Sequence, residues 1–68
     1  MTPAQLVAIG ELLYGGRWKA GLARDMGVDR HTVVGLSKGD WQITPGRAAD
    51  VHRIARERIA GLRAALAK

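Results

Sequence analysis

The residues of this chain with the strongest chemical character are its basic side chains. Eleven lysines and arginines stand against six aspartates and glutamates, which gives a formal net charge of +5 at pH 7 in 68 residues. Such an excess on a small surface indicates a polyanionic partner, either a nucleic acid or an anionic membrane. No apolar run approaches the roughly 20 residues that a membrane-spanning helix requires, and we predict no membrane partner.

Side chains that could catalyse a reaction or bind a metal ion are few and scattered. The chain has no cysteine, which excludes disulfides and thiolate ligands. The only serine, Ser37, has no evident histidine–carboxylate partner, and His31 and His52 are far apart in the sequence. We therefore predict a protein that is not an enzyme and that binds no cofactor and no metal ion.

The length of the chain predicts one domain that spans residues 1–68. A domain of this size has a marginal core, and without disulfides or a metal ion its extra stability is expected from a partner subunit. The length also leaves no residues for a domain that binds a small-molecule effector. The first residues lack the features of a signal peptide. We expect a homodimer in the cytoplasm.

Start and stop signals divide the chain into four predicted helices. Thr2, Pro3 and Gln5 together form a capping-box start. Thr44 and Pro45 repeat the cap and the proline, and glycines mark the helix ends. The first predicted helix begins at Pro3 and ends near Leu13 or Tyr14, and the second runs from Arg17 to Met26. The third runs from Arg30 to about Ser37, and the fourth runs from Pro45 through the rest of the chain.

The last predicted helix is long and amphipathic. Its apolar stripe consists of Val51, Ile54, Ala55, Ile59, Leu62, Ala65 and Leu66. This spacing suits packing across the first helix and equally burial against a second copy, so the periodicity leaves both uses open. Gly61 costs about 1 kcal/mol relative to alanine, which is too little to break so regular a pattern. The predicted fold class is all-α, with four helices and a long C-terminal helix.

The segment from residue 19 to residue 38 has the residue types that two short helices need when they meet through a tight turn. Helices that cross at roughly 90–120° need a small residue at their closest approach, and Ala23 supplies it. Gly27 lies in the turn, where a positive φ is tolerated, and Asp29 is placed to cap the next helix. The apolar residues that would fasten both helices to a core are Leu22, Met26, Val28, Val33 and Leu36.

This segment resembles the helix-turn-helix of phage repressor-like and Cro-like (lambda-repressor-like) regulators. The matching positions are Leu22–Ala23, Met26–Gly27–Val28, Thr32–Val33, Leu36, Gly39, Ile43 and Pro45. The likeness extends from about Leu12 to Pro45. The wider arrangement, with Leu13–Tyr14–Gly15 and Trp18 ahead of the segment, is similar to short phage or bacterial regulators, including those encoded beside anti-CRISPR genes. It implies a helix-turn-helix unit at 19–38 that binds double-stranded DNA as a homodimer on an inverted-repeat operator.

The resemblance also implies roles for individual residues. In such folds the second helix of the unit enters the major groove with its N-terminal end. Its outward positions are Arg30, His31, Val34, Gly35 and Lys38. Base contacts are expected from Arg30, His31, Val34 and Lys38, and Arg30 suits a bidentate contact to guanine. Contacts to the DNA backbone are expected from Lys19, Thr32 and Gln42.

Three further residues are interpreted from their positions. Trp18 shares a helix face with Leu22 and is expected in the core. Gly35 either permits a close approach to DNA or is simply tolerated in its helix. Trp41, in the loop after that helix, could contact a partner subunit, cover the core or lie against a phosphate.

The function that these observations predict is a sequence-specific transcriptional regulator, a repressor that blocks polymerase at a palindromic operator. One alternative is an interaction module of the same fold, inhibitor-like or antitoxin-like, which would present an acidic or apolar face in place of Arg30, His31 and Lys38. A second alternative is a nonspecific or RNA-binding protein. RNA readers usually stack bases on aromatic platforms, and the few aromatic residues of this chain show no paired arrangement.

Overall fold

The structure, a computed structural model, describes all 68 residues of the chain. Helical residues make up 81% of it and there are no strands, which confirms the all-α class. The helices are α1 (Pro3–Tyr14), α2 (Trp18–Met26), α3 (Arg30–Lys38) and α4 (Pro45–Leu66), with a 3-10 turn over Gly15–Arg17. The predicted bounds differ from these by at most two residues. None of the helices combines the length and the apolar character that crossing a membrane requires.

The two ends of α1 are set by local signals. The Gln5 N–H donates to the Thr2 hydroxyl at 3.1 Å and the Thr2 N–H donates to Gln5 Oε1 at 2.8 Å, which completes the predicted capping box. Pro3 lies in the first turn, where its missing N–H costs no hydrogen bond. Gly15 ends the helix with a φ of 77°, which glycine adopts without strain at Cβ.

The first three helices and the first half of α4 pack around one core. Its eight buried apolar residues are Leu6, Trp18, Leu22, Ala23, Val33, Leu36, Val51 and Ile54. Trp18 is only 5% exposed, so its predicted place in the core is confirmed. Its indole lies against Gly10 of α1, where an ideal Cβ would be 2.1 Å from Trp18 Cε3. A glycine at position 10 therefore allows α1 and α2 to approach this closely.

The turn between α2 and α3 has the predicted glycine geometry but not the predicted side-chain cap. Gly27 has a φ of 72°, and the Val28 N–H donates to the Ala23 carbonyl at 3.0 Å. Asp29 occupies the N-cap position of α3, yet its carboxylate makes no capping hydrogen bond, so the role predicted for this side chain is wrong. The side chain is exposed and keeps its hydration without that bond. The Asp29 carbonyl accepts from the Thr32 N–H at 3.0 Å.

α4 consists of a packed half and an exposed half. The Thr44 hydroxyl caps it by accepting a backbone N–H of the first turn at 3.3 Å, and Val51 and Ile54 enter the core. Every residue from 56 to 68 is exposed. The helix continues through Gly61, as predicted. The apolar stripe therefore serves the core over its first half only.

Tyr14, at the end of α1, joins three helices. Its hydroxyl donates to Asp25 Oδ2 of α2 at 2.6 Å, and the Arg58 guanidinium of α4 lies 5.4 Å from its ring centroid. Arg58 Nη1 also donates to the Leu13 carbonyl at 3.1 Å, which satisfies a carbonyl at the end of α1. Burial, and then the hydrogen bond to Asp25, raises the pKa of Tyr14 to about 12. The same hydrogen bond lowers the pKa of the Asp25 carboxyl.

Candidate functional site

An open groove, here called the basic groove, lies where the first turns of α2 and α3 meet. Its volume is about 430 Å³, and its lining residues are Gly16, Arg17, Trp18, Lys19, Ala20 and Arg30. The groove brings together Lys19 and Arg30, two of the predicted site residues, from two different helices. Arg17 was not among the predicted site residues. It lies in a 3-10 turn, where no helical period indicates which way a side chain faces.

The three cations of the basic groove have no carboxylate partner. The ion pairs of the protein are Arg24–Asp25 at 3.3 Å, Arg53–Asp50 at 3.8 Å and Arg53–Glu57 at 3.4 Å, all outside the groove. Lys19 Nζ lies 5.9 Å from the Trp18 ring centroid, a distance at which a weak cation–π attraction restrains the ammonium group. The groove therefore carries positive charge that no acidic side chain neutralises directly.

The backbone adds to this positive potential. Neither Arg17, at the N-cap of α2, nor Asp29, at the N-cap of α3, makes a side-chain capping hydrogen bond. The first N–H groups of a helix have no intrahelical acceptor, and the aligned peptide dipoles place partial positive charge at that end. Anions bind favourably at helix N-termini for this reason. The side chains and the N-terminus of α2 thus favour an anionic ligand, whereas the exposed Asp29 carboxylate offsets part of the positive potential at the N-terminus of α3.

The exposed side of α3 carries a row of residues with the spacing i, i+3, i+4 and i+7. His31, Val34 and Lys38 belong to this row, and Gly35 lies between them. His31 and Lys38 are exposed, and Val34 is half-buried. This row presents an imidazole, an aliphatic group and an ammonium group, so it can make both hydrogen bonds and apolar contacts.

Gly35 lies on the outward side of α3, as predicted, but it is buried and not open to solvent. Trp41 covers it, since an ideal Cβ at position 35 would lie 3.1 Å from both Cδ2 and Cε3 of the indole. The chain turns back over α3 at Gly39, which has a φ of 80°. The N–H groups of Asp40 and Trp41 then donate to the Gly35 carbonyl at 3.0 and 3.4 Å. Helical periodicity does not reveal this reversal of the chain.

Thr32 and Gln42, two further predicted site residues, lie apart from the basic groove. Thr32 is half-buried and lies one turn before Leu36, on the side of α3 that faces the core. Gln42 is exposed in the loop between α3 and α4, next to Trp41. Neither lines the basic groove. The predicted site residues therefore fall into three groups. Lys19 and Arg30 line the basic groove, His31, Val34 and Lys38 form the row on α3, and Thr32 and Gln42 lie apart from both.

The chain was compared with protein-family models, with curated proteins and with solved structures, and no match was found in any of the three. The features of the site that bear on its function are the charge of the basic groove and the exposed row on α3.

Proposed function

We propose that this protein is a sequence-specific transcriptional regulator that binds double-stranded DNA through a helix-turn-helix unit formed by α2 and α3. The observation that carries the proposal is the basic groove, in which Arg17, Lys19 and Arg30 meet at two helix N-termini without a carboxylate partner. Phosphate groups are the anions that such an arrangement suits. The resemblance of residues 19–38 to repressor-like regulators supports the same function.

Base contacts would come from α3, entering the major groove with its N-terminal end. Arg30 is the first residue of this helix, and its planar guanidinium suits O6 and N7 of guanine. His31 and Lys38 can donate hydrogen bonds to base acceptors, and Val34 can contact a thymine methyl group. The exposure of this row, apart from the half-buried Val34, is what such contacts require.

Backbone contacts would orient the protein on the duplex. Lys19 and Arg17 lie at the start of α2, where a phosphate would meet both charged side chains and the partial positive charge of the helix N-terminus. Thr32 and Gln42 are retained as further candidates for this role. These contacts bind all sequences alike, whereas the row on α3 would distinguish among them.

The regulator is proposed to act as a homodimer in the cytoplasm. Two copies related by a two-fold axis would read half-sites roughly 34–36 Å apart on a palindrome. Ile59, Leu62 and Leu66 of α4 are 49%, 57% and 86% exposed and share one side of the helix, which supports a second copy as their cover. A dimer on its operator would exclude polymerase and so repress transcription, without a cofactor or an effector.

Selection of bound duplexes from a random pool tests the proposal. We expect an enriched sequence that is an inverted repeat, with a dissociation constant that rises steeply with salt. Enrichment of an inverted repeat would support both the sequence preference and the dimer. If the pool shows no enrichment and the protein binds no duplex above background, the proposal is wrong. An interaction module that contacts another protein through the same surface then becomes the better hypothesis.

A further inference from the structure

Trp41 is a large aromatic residue to which the proposed function assigns no role. It is 50% exposed, whereas the other tryptophan, Trp18, is a core residue. Its indole covers Gly35, which lies in the middle of the row formed by His31, Val34 and Lys38. Trp41 therefore adds to the side of α3 that the proposed function directs towards DNA.

Gly35 and Trp41 fit one another closely. An ideal Cβ at position 35 would lie 3.1 Å from Cδ2, 3.1 Å from Cε3 and 3.5 Å from Cε2 of the indole. Cδ2 and Cε2 are the two atoms that the rings share, and Cε3 is bonded to Cδ2 in the six-membered ring. The indole therefore lies across the helix backbone where another residue would have its own side chain. A larger residue at position 35 would push the ring outward.

The indole N–H of Trp41 has no acceptor within the protein, since none of the side-chain hydrogen bonds involves it. A half-exposed tryptophan combines an apolar ring with one hydrogen-bond donor, and such residues are enriched at interfaces for this reason. Phosphate oxygens are acceptors that bind such a donor strongly because they are charged.

We propose that Trp41 is part of the DNA-contacting surface, an inference that rests on the proposed function. The indole takes the place of the side chain that α3 lacks at position 35, packs against a deoxyribose at the edge of the half-site and donates its Nε1–H to a phosphate oxygen. Gly35 then has a defined purpose, which is to let the indole lie low enough on α3 for its neighbours His31 and Lys38 to reach the bases.

The test measures the affinity of the full chain for its selected duplex by fluorescence anisotropy. Trp41→Ala is expected to weaken binding by roughly tenfold, the size expected for one hydrogen bond to a charged oxygen together with lost apolar contact. Trp41→Phe keeps a ring over Gly35 but has no donor, so a smaller loss of several-fold is expected. In both variants the slope of log affinity against log salt should stay unchanged, because no cation is removed.

Two glycine variants form a matched pair in the same experiment. Gly35→Ala places a Cβ under the indole and should weaken binding several-fold. Gly61→Ala makes the same change in another helix, where nothing lies within 4 Å of the added Cβ, and should bind as the wild type does. Thermal unfolding followed by circular dichroism identifies variants that fail to fold. If Trp41→Ala is among them, Trp41→Phe decides the outcome.

The outcomes separate this inference from the proposed function. If the wild type binds no duplex, both fail together. If the wild type binds a selected duplex and the folded Trp41 variants bind it equally well, only the DNA-contacting role of Trp41 is overturned. Trp41 would then serve only to cover α3. A change in oligomeric state caused by Trp41→Phe, measured by sedimentation, would also overturn it, in favour of a contact between subunits.

Discussion

Lys19 and Arg30 lie in one groove, yet their side chains suit different contacts. Arg30 begins α3, and its planar guanidinium offers paired donors that distinguish guanine from other bases. Lys19 lies in the first turn of α2, 5.9 Å from the Trp18 ring centroid. Its ammonium is a compact charge without a directional pattern. Removal of each side chain should therefore change a different property of DNA binding.

Arg30→Ala is expected to lower the affinity for the selected duplex by about 1–3 kcal/mol and to relax the preference at one base pair in each half-site. Lys19→Ala, and likewise Arg17→Ala, should weaken all sequences alike and reduce the slope of log affinity against log salt by about 0.9. Competition with single-base-pair variants measures the preference, and a salt series measures the slope.

Arg56→Ala serves as the control for both effects, because Arg56 is an exposed cation of α4 that lies outside the basic groove. It should keep the wild-type base preference and most of the slope. An unaltered preference in Arg30→Ala would remove Arg30 from the base-contacting residues. A new preferred sequence in Lys19→Ala would show that Lys19 does more than bind a phosphate.

The helices are held in position around Tyr14. Its ring lies over Gly21 of α2, where an ideal Cβ would be 2.7 Å from Tyr14 Cδ1, and its hydroxyl donates to Asp25 of the same helix. The Arg58 guanidinium of α4 lies 5.4 Å from the centroid of the same ring. The orientation of α2 matters for function because its N-terminus forms one wall of the basic groove.

The Tyr14–Asp25 hydrogen bond makes stability depend on pH in two windows. The pKa of Asp25 is lowered below its usual 3.8 by the Tyr14 hydroxyl, so this contribution is present above that value and is lost as pH falls through the folded pKa. The pKa of Tyr14 is raised from 10.0 to about 12, first by burial and then by Asp25. Its contribution is therefore complete below pH 10 and lost as pH rises towards 12.

Tyr14→Phe should accordingly lower the free energy of unfolding by about 1 kcal/mol near neutral pH and should flatten the alkaline fall in stability. Urea denaturation at a series of pH values measures both effects. Glu11→Gln removes an exposed carboxyl that makes no ion pair, and it should keep the alkaline fall. A wild-type pH profile in Tyr14→Phe would contradict the importance of this hydrogen bond.

The molecule as a whole is elongated by α4. Its dimensions are 43 × 24 × 21 Å, and the exposed half of α4 carries Ile59, Leu62 and Leu66 on one side. A single helix of this length without packing is marginal in water, since most helix stability in proteins comes from tertiary contacts. A second copy that covers this side would stabilise the helix. It would also supply a second α3 to contact the other half-site.

Leu62→Glu should therefore convert the proposed dimer into a monomer, because it places a charge in the centre of the apolar side of α4. Sedimentation equilibrium measures the molecular mass, and binding to one isolated half-site should persist. Ala64→Glu adds the same charge on the opposite side of the helix and should leave the dimer intact. A wild-type mass that already equals 7.3 kDa would contradict the dimer.

Much of the fold was predictable because helix ends depend on neighbouring residues. Thr2 with Gln5, Thr44, and the glycines at 27 and 39 each act within a turn of the chain, and all lie where a helix begins or ends. The core was predictable in outline because periodicity orients each helix. The absence of a side-chain cap at Asp29 was not predictable, because a side chain at the N-cap position can accept a hydrogen bond either from the backbone or from water.

The sequence by itself determined the all-α class, the bounds of the helices, the basic charge and which side of α3 packs inward. These follow from local hydrogen bonds and from the helical period. Only the tertiary structure decided that Arg17 joins Lys19 and Arg30 in one groove, and that Trp41 covers Gly35. Arg17 lies in a 3-10 turn and Trp41 in a loop. The path of such a segment depends on the packing of the helices around it, because no long repeating backbone geometry sets its direction.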